Sequence, residues 1–384
     1  MSGNKKPKKL WRRVVGFTFS GITLIVLGYI SFSLITSRPI DFSWFTNIFL
    51  PRQPIEVADE LLFDVGRDRV FADMDGHVVA AGMLGVQVLD YRGNETLRVG
   101  FRMDRPAISV NNRRAIAFDI GGHSVLVFEA GRVIYSMETN GTIISASINR
   151  NGWFTVSTQE GAGLRSLATV YNDRGNAVFR ANLHMGYALY SVLSPDNRDL
   201  AVINLTDVGS RIPVWQGINQ QDPGFTFELY NELILDMRFL PNGQIMAVST
   251  DRLISIDRNG VSNDFFEFGS SRLGGLISED GAILLHLLDY GVGHTGRLIR
   301  LDERGNIRAE RITTRDIISM SYGGGFFVIM SADGISFLDE NLYELPHTAE
   351  SMILGGVNRV LALRDGVALV TVEHIAAPIK VITE

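Results

Sequence analysis

A short signature recurs along this chain and restricts its fold more than any other feature. Asp90-Tyr91-Arg92-Gly93-Asn94 returns as Asn172-Asp173-Arg174-Gly175-Asn176 and as Asp302-Glu303-Arg304-Gly305-Asn306, with a rearranged copy at Asp257-Arg258-Asn259-Gly260. The copies that begin at 90, 172 and 302 lie 82 and 130 residues apart. Those spacings are close to two and three units of about 41–43 residues, a period that suits propeller blades and other arrays. Each copy follows an alternating apolar run, such as Val86 and Val88 or Ile254 and Ile256. Each therefore reads as a hairpin turn at the end of a strand.

Two families of turns interleave. The first falls at Asp75-Gly76, Asn112-Arg113, Asn151-Gly152, Asp196-Asn197, Asn242-Gly243, Asp280-Gly281, Gly324-Gly325 and Asn358-Arg359, at intervals of 34–46 residues. The second falls at Arg92-Gly93, Ala130-Gly131, Arg174-Gly175, Gln221-Asp222, Asn259-Gly260, Arg304-Gly305 and Glu340-Asn341. Asn, Asp and Gly tolerate the positive φ that tight hairpins need. Two families at one period predict four strands per unit. No amphipathic run of 3.6-residue period exceeds about ten residues after Val57, so a helical solenoid is not expected. The expected fold is all-β, an eight-bladed β-propeller over residues 57–384. Seven blades result if the short last unit merges with the segment that precedes the first. Apolar inner strands are expected at 115–118, 154–156, 200–203, 245–248, 283–287, 326–329 and 361–363. Residues 56–65 are expected to close the ring by pairing with the last blade.

The charge is unevenly placed. Residues 1–13 hold six cations and no acid, which leaves 30 cations against 42 acids in the rest of the chain. So acidic a body repels a phosphate backbone, and a nucleic-acid partner is not expected. Cysteine is absent, which excludes disulfides, thiolate nucleophiles and Cys-based metal sites. Residues 14–37 carry no charge and are rich in Ile, Leu, Val and Phe. A helix of that length spans the roughly 30 Å of bilayer hydrocarbon. It is longer than the apolar region of about 7–15 residues in a cleaved signal peptide, so an uncleaved anchor is expected. Cations precede it and only Arg38 follows closely, which keeps the N-terminus cytoplasmic. The expected layout is a basic cytoplasmic tail (1–13), a transmembrane helix in the lipid bilayer (14–37), a stalk with Pro39, Pro51 and Pro54 (38–56), and a propeller outside the cytoplasm (57–384). That is a single-pass, type II protein of the cell membrane.

Leu193-Ser194-Pro195-Asp196-Asn197 is a line common in the blades of WD40-like and quinoprotein-like propellers. With the period and the Gly turns, it makes residues 57–384 resemble that superfamily. The Trp-Asp and Gly-His pairs of WD40 repeats are missing, as is the Trp-rich docking signature of quinoprotein blades. The layout of basic tail, single helix and acidic propeller also resembles uncharacterised membrane-anchored propellers of Gram-positive bacteria. That likeness carries over no catalytic residue.

The chemistry is less legible. There is no Gly-Xaa-Ser-Xaa-Gly elbow, and Gly121-Gly122 and Gly323-Gly324-Gly325 lack the ending of a phosphate loop. His286 and His294 suit no standard metal spacing, and Asp73-Met74-Asp75-Gly76 lacks the later ligands of a calcium loop. No catalytic residue, metal or cofactor is assigned. The candidate binding surface is a set of second-to-third-strand loops, expected to be long in blades three (160–165), four (206–211) and six (289–297). Each begins near an acid and ends near an arginine: Glu160 with Arg165, Asp207 with Arg211, and Asp289 with Arg297, the last loop adding Tyr290 and His294. Rigid scaffolds carry function on such loops, and Arg and Tyr suit hot spots. The plainer reading makes these pairs local hairpin salt bridges worth under about 1 kcal/mol. The expected function is a monomeric, membrane-anchored scaffold that binds an envelope protein or glycan. The alternative is an envelope enzyme (a glycan lyase or hydrolase, or a quinone-dependent oxidoreductase) with its site in the central channel.

Overall fold

The computed structural model describes residues 55–111, 113–161, 166–279, 281–289, 295–302, 304–313, 316–348 and 357–382. The basic tail, the apolar segment 14–37 and the stalk to residue 54 lie outside them, as do Arg165, Tyr290 and His294. No helix among the described residues is long and apolar enough to cross a membrane.

Eight antiparallel sheets of four strands follow one another along the described chain. Blade one is built from Val70–Asp73, His77–Gly82, Gly85–Asp90 and Glu95–Gly100. The first strands of most neighbouring blades touch, and Val70–Asp73 meets Val357–Ala362 of blade eight, so the sheets form a ring with the first strands innermost. Blade eight takes its fourth strand from the start of the propeller. Leu61–Leu62 pairs with Ile375–Lys380, Leu61 opposite Ala376. The closure expected over 56–65 thus uses two paired residues, backed by a bond from the Phe63 N–H to the His374 carbonyl at 2.8 Å and by burial of Leu61, Phe63 and Val65. This segment completes an eighth blade, and the seven-bladed alternative falls.

The period of two along a strand explains the core. Most of the apolar runs read from the sequence are the second strands of their blades, and their alternate side chains face opposite neighbours. In Arg114–Asp119, Ala115 and Ala117 pack with blade one, while Ile116 and Phe118 pack with blade three. In Asp199–Thr206, Leu200 and Val202 pack with blade three, while Ala201 and Ile203 pack with blade five. The buried apolar residues form eight clusters, and each is shared by two adjacent blades, blades eight and one included. Stability therefore lies between units, as in other repeat proteins, with the array bent into a circle.

Blade eight departs from the expected phase. Asn358-Arg359 is not a turn but lies within the inner strand Val357–Ala362, and residues 361–363 end that strand instead of forming the second. The turn comes at 364–366, where Asp365 and Gly366 have φ of 55° and 71°, and Val367–Val372 follows as the second strand. The ladder shifts register between Val357 and Arg359, so Asn358 is the extra residue of a β-bulge. An Asn in a bulge looks in sequence like an Asn in a turn.

Candidate functional site

Antiparallel alternation divides the connections between two faces of the ring. First-to-second and third-to-fourth turns leave from one face. Second-to-third hairpins and the links between blades leave from the other.

The recurring signature belongs to the first face, as a side-chain-capped turn. The Asp90 carboxylate accepts the N–H groups of Arg92 and Asn94 at 3.0 and 2.8 Å, while Gly93, at φ 86°, donates its N–H to the Asp90 carbonyl. The same pair of caps recurs from Asn172, Asp257 and Asp302. Hydrogen bonds from Asn306 to the Asp302 carboxylate, the side-chain one first, hold its pKa down to about 2. A fifth copy runs from Asp339 to the N–H groups of Asn341 and Tyr343. There Leu342 takes the positive φ (64°) that glycine takes in the others, which hid this copy in the sequence. The described chain also begins on this face. The Ile55 N–H bonds to Asp365 at 3.2 Å, Glu56 pairs with Arg92 at 3.3 Å, and the Ala58 N–H bonds to the Tyr91 carbonyl at 2.8 Å. Asp73 accepts the Tyr91 hydroxyl at 2.6 Å, and burial pushes its pKa up to about 6.

The opposite face holds the loop residues singled out above. Phe154–Gln159 and Ser166–Tyr171 of blade three leave a six-residue loop, in which Glu160 accepts the Thr158 hydroxyl at 2.9 Å. In blade six the loop joins Ala282–Leu288 to Gly296–Leu301. Arg297 bridges Asp289 at 3.6 Å and Glu310 at 3.3 Å, and Ser271 bonds to Asp289 at 2.7 Å. Blade four corrects the expectation of a long loop. Asp199–Thr206 and Gly209–Gln216 run on to a two-residue hairpin, Asp207-Val208, because Gly209, at φ 141°, lets the ladder reach the tip. Arg211 stands inside a strand and pairs with Glu228 at 2.6 Å, and Glu228 also accepts the Tyr230 hydroxyl at 2.5 Å. No hydrogen bond or ion pair joins the three hairpins among the described residues.

What does gather on this face is apolar, and sequence reasoning missed it. Met185, Val208, Tyr230, Leu233 and Leu235 are 63, 52, 67, 46 and 53 % exposed. Met185, Val208 and Tyr230, with Asp207, Arg211 and Glu228, line a pocket of about 110 Å³. Bonds from the Asn231 N–H to Val208 and from the Ser210 N–H to Glu232 hold the link between blades four and five against the hairpin. The inner strands begin on this same face. In blades three to eight the ladder shifts near the strand start, around Ile144, Leu189, Leu235, Gly274, Ile318 and Asn358. Bulges re-aim residues out of a ladder, and Leu189, Leu235 and Ile318 are all exposed. The only available signal in the sequence was a bulky apolar residue at a turn position, such as Val208.

His286, by contrast, is buried, with no partner for either ring nitrogen, and burial lowers its pKa against an opposing influence from Asp316. Gly274 and Gly296 flank the ring: a Cβ on either would come within 2.8 Å of Nδ1 or 2.9 Å of Nε2. It is a packed, neutral imidazole. Among the described residues no group of three His, Asp or Glu side chains is placed to hold a metal.

Eight four-stranded blades in a closed ring, with cores shared between blades, define an eight-bladed β-propeller. Solved structures share the fold. BamB from Moraxella catarrhalis superposes with a TM-score of 0.54 at 14 % identity, over 86 % of this chain and 98 % of that one. The C-terminal WD40 domain of Sif2 gives 0.59 at 11 % identity, over 86 % and 99 %. At such identities the likeness is one of fold alone. No curated protein matches the sequence. Residues 54–341 match a family described as a family of unknown function, DUF5711, and the chain belongs to that family.

Proposed function

We propose that this protein is a membrane-anchored binding scaffold whose propeller stands outside the cytoplasm and receives a protein partner on its loop face. The observation that carries the reading is the meeting of exposed Met185, Val208 and Tyr230 around one pocket, with Leu233 and Leu235 also exposed on this face. An exposed apolar patch of this kind marks a surface that something covers. Its character favours a protein over a glycan, because apolar contacts predominate there and the arginines are engaged in local ion pairs. The described chain begins on the opposite face, next to blades eight and one. Inserting a photo-crosslinking residue at Val208 or Tyr230 of the full chain, in its native cell, tests this. Adducts with a defined protein from these positions, and none from Asp75 on the other face, are expected. Equal labelling from both faces, or none from Val208 and Tyr230, would remove the proposal.

A further inference from the structure

Rim strands are edges that invite pairing with another chain, and proteins usually guard them with charge, proline or short length. Most of the rim strands here are guarded. Glu95–Gly100, Arg132–Glu138, Ala177–Leu183 and Ile307–Thr313 each carry arginine, Ser262–Glu267 carries two acids, and the fourth strands of blades seven and eight are two residues long. Blade four differs. Its rim strand Phe225–Tyr230 reads Phe-Thr-Phe-Glu-Leu-Tyr, without Pro, Gly or a cation, and its one charge, Glu228, is matched by Arg211. The strand is the last in its sheet and pairs only with Gly209–Gln216. Because the Asn231 N–H bonds to Val208, antiparallel alternation turns the backbone groups of Tyr230, Glu228 and Thr226 outward. Pro213, opposite Thr226, has no N–H to offer in any case.

We infer that Phe225–Tyr230 is a strand-addition site, which takes an extended polypeptide segment of a partner protein and seats one of its apolar side chains in the pocket lined by Met185, Val208 and Tyr230. This names the partner chemistry of the scaffold reading and rests on it. Outward N–H and C=O groups in ladder register fit another extended main chain, which supplies matching groups at the same spacing. The edge runs straight into the pocket, since Leu229 and Tyr230 belong to both. Asp207 adds a negative charge beside a pair in which Arg211 is already engaged with Glu228, so a cationic residue in the segment complements the rim.

The probe is an acetylated, amidated peptide of alternating Val and Thr with one Lys, added to the full chain in detergent. Amide hydrogen exchange should slow at Thr226, Glu228 and Tyr230. Thr226→Pro removes an outward N–H without touching the inner ladder, and should weaken peptide binding about tenfold, the equivalent of the main-chain bonds lost, with the melting temperature unchanged. Thr226→Lys serves as the second variant if the proline perturbs folding, and should also weaken binding. Absence of protection, protection elsewhere, or unchanged affinity in a folded variant would overturn the inference. So would dimerisation of the full chain through this edge, which would make a second copy the occupant. If Val208 cross-links to its partner undiminished in Thr226→Pro, the strand-addition idea fails and the scaffold reading stands. If Val208 captures nothing in the unmodified chain, the scaffold reading itself fails.

Discussion

The two faces of the ring are built from the same kind of hairpin, yet they differ in what their turns leave over. On the signature face, Asp90, Asn172, Asp257, Asp302 and Asp339 each satisfy two N–H groups of their own turn. The polar groups are consumed locally, and in five of the eight blades the third-to-fourth turn keeps this one form. On the loop face the hairpins vary in length, and bulky apolar side chains stand in water at Met185, Val208, Tyr230 and Leu233. A repeat can therefore hold its geometry at one end while diversifying at the other. The face that explains its own polar groups is structural. The face that does not is the one proposed to receive a partner.

That contrast can be broken by substitution. The largest effect is expected from deleting residues 57–64, which lead in from the signature face and close the ring. The deletion removes buried Leu61 and Phe63 from the cluster that joins blades eight and one, and should cost at least about 5 kcal/mol in chemical denaturation. A near-neutral result would show that the ring does not depend on this closure.

Gly305→Val comes next. The residue has φ 84°, and a Cβ there would lie 2.4 Å from the Phe265 carbonyl oxygen. Backbone strain and overpacking together should cost about 3 kcal/mol, read from the shift in denaturation midpoint.

Asp73→Asn sharpens the comparison through pH. The folded pKa of Asp73 is about 6, above the ordinary carboxylate value near 4, so the folded state retains the proton longer. The penalty for ionising Asp73 develops as pH rises from about 4 to 6 and stays constant above that. The asparagine keeps an acceptor for Tyr91 and has no charge to bury. It should be more stable than the natural residue at pH 8 by up to about 2 kcal/mol, with the gap closing near pH 4. A gap that instead widens toward acid would reverse the assigned direction of the shift.

The smallest stability effect belongs to the loop face. Val208→Ser with Tyr230→Ser should change stability by no more than about 0.5 kcal/mol, because both side chains are exposed. The same pair should abolish partner cross-linking from a probe at Leu235. A large loss of stability without loss of cross-linking would make this face structural after all.

Much of the ring was legible from turns and alternation. The third-to-fourth turns at Arg92-Gly93, Arg174-Gly175 and Arg304-Gly305 fall where they were read, since an Asx cap and a positive-φ glycine are contained within five residues. Blade eight was read out of phase because the bulge at Asn358 imitates a turn. Blade four's hairpin was read as a long loop because Thr206 and Gly209 look like loop residues, although both are paired in the ladder. Of the candidate binding residues, Asp207 and Arg211 do line the apolar pocket, whereas Asp289 and Arg297 form a local bridge in another blade. The apolar partners were invisible because residues 185, 208, 230, 233 and 235 are scattered over fifty positions and none belongs to a motif.

By itself, the order of amino acids determined the repeat period, the four strands of each unit, and the capped turns of one face. Those properties depend on contacts within a few residues and on a two-residue period, which a linear reading can follow. Only the tertiary structure decided that the ring has eight blades rather than seven, that alternate side chains of one strand serve two different cores, and that Met185, Val208 and Tyr230 from separate connections meet beside an unguarded edge. Each of these needs groups far apart in the chain to be brought together by the closing of the ring, and no local pattern encodes that distance.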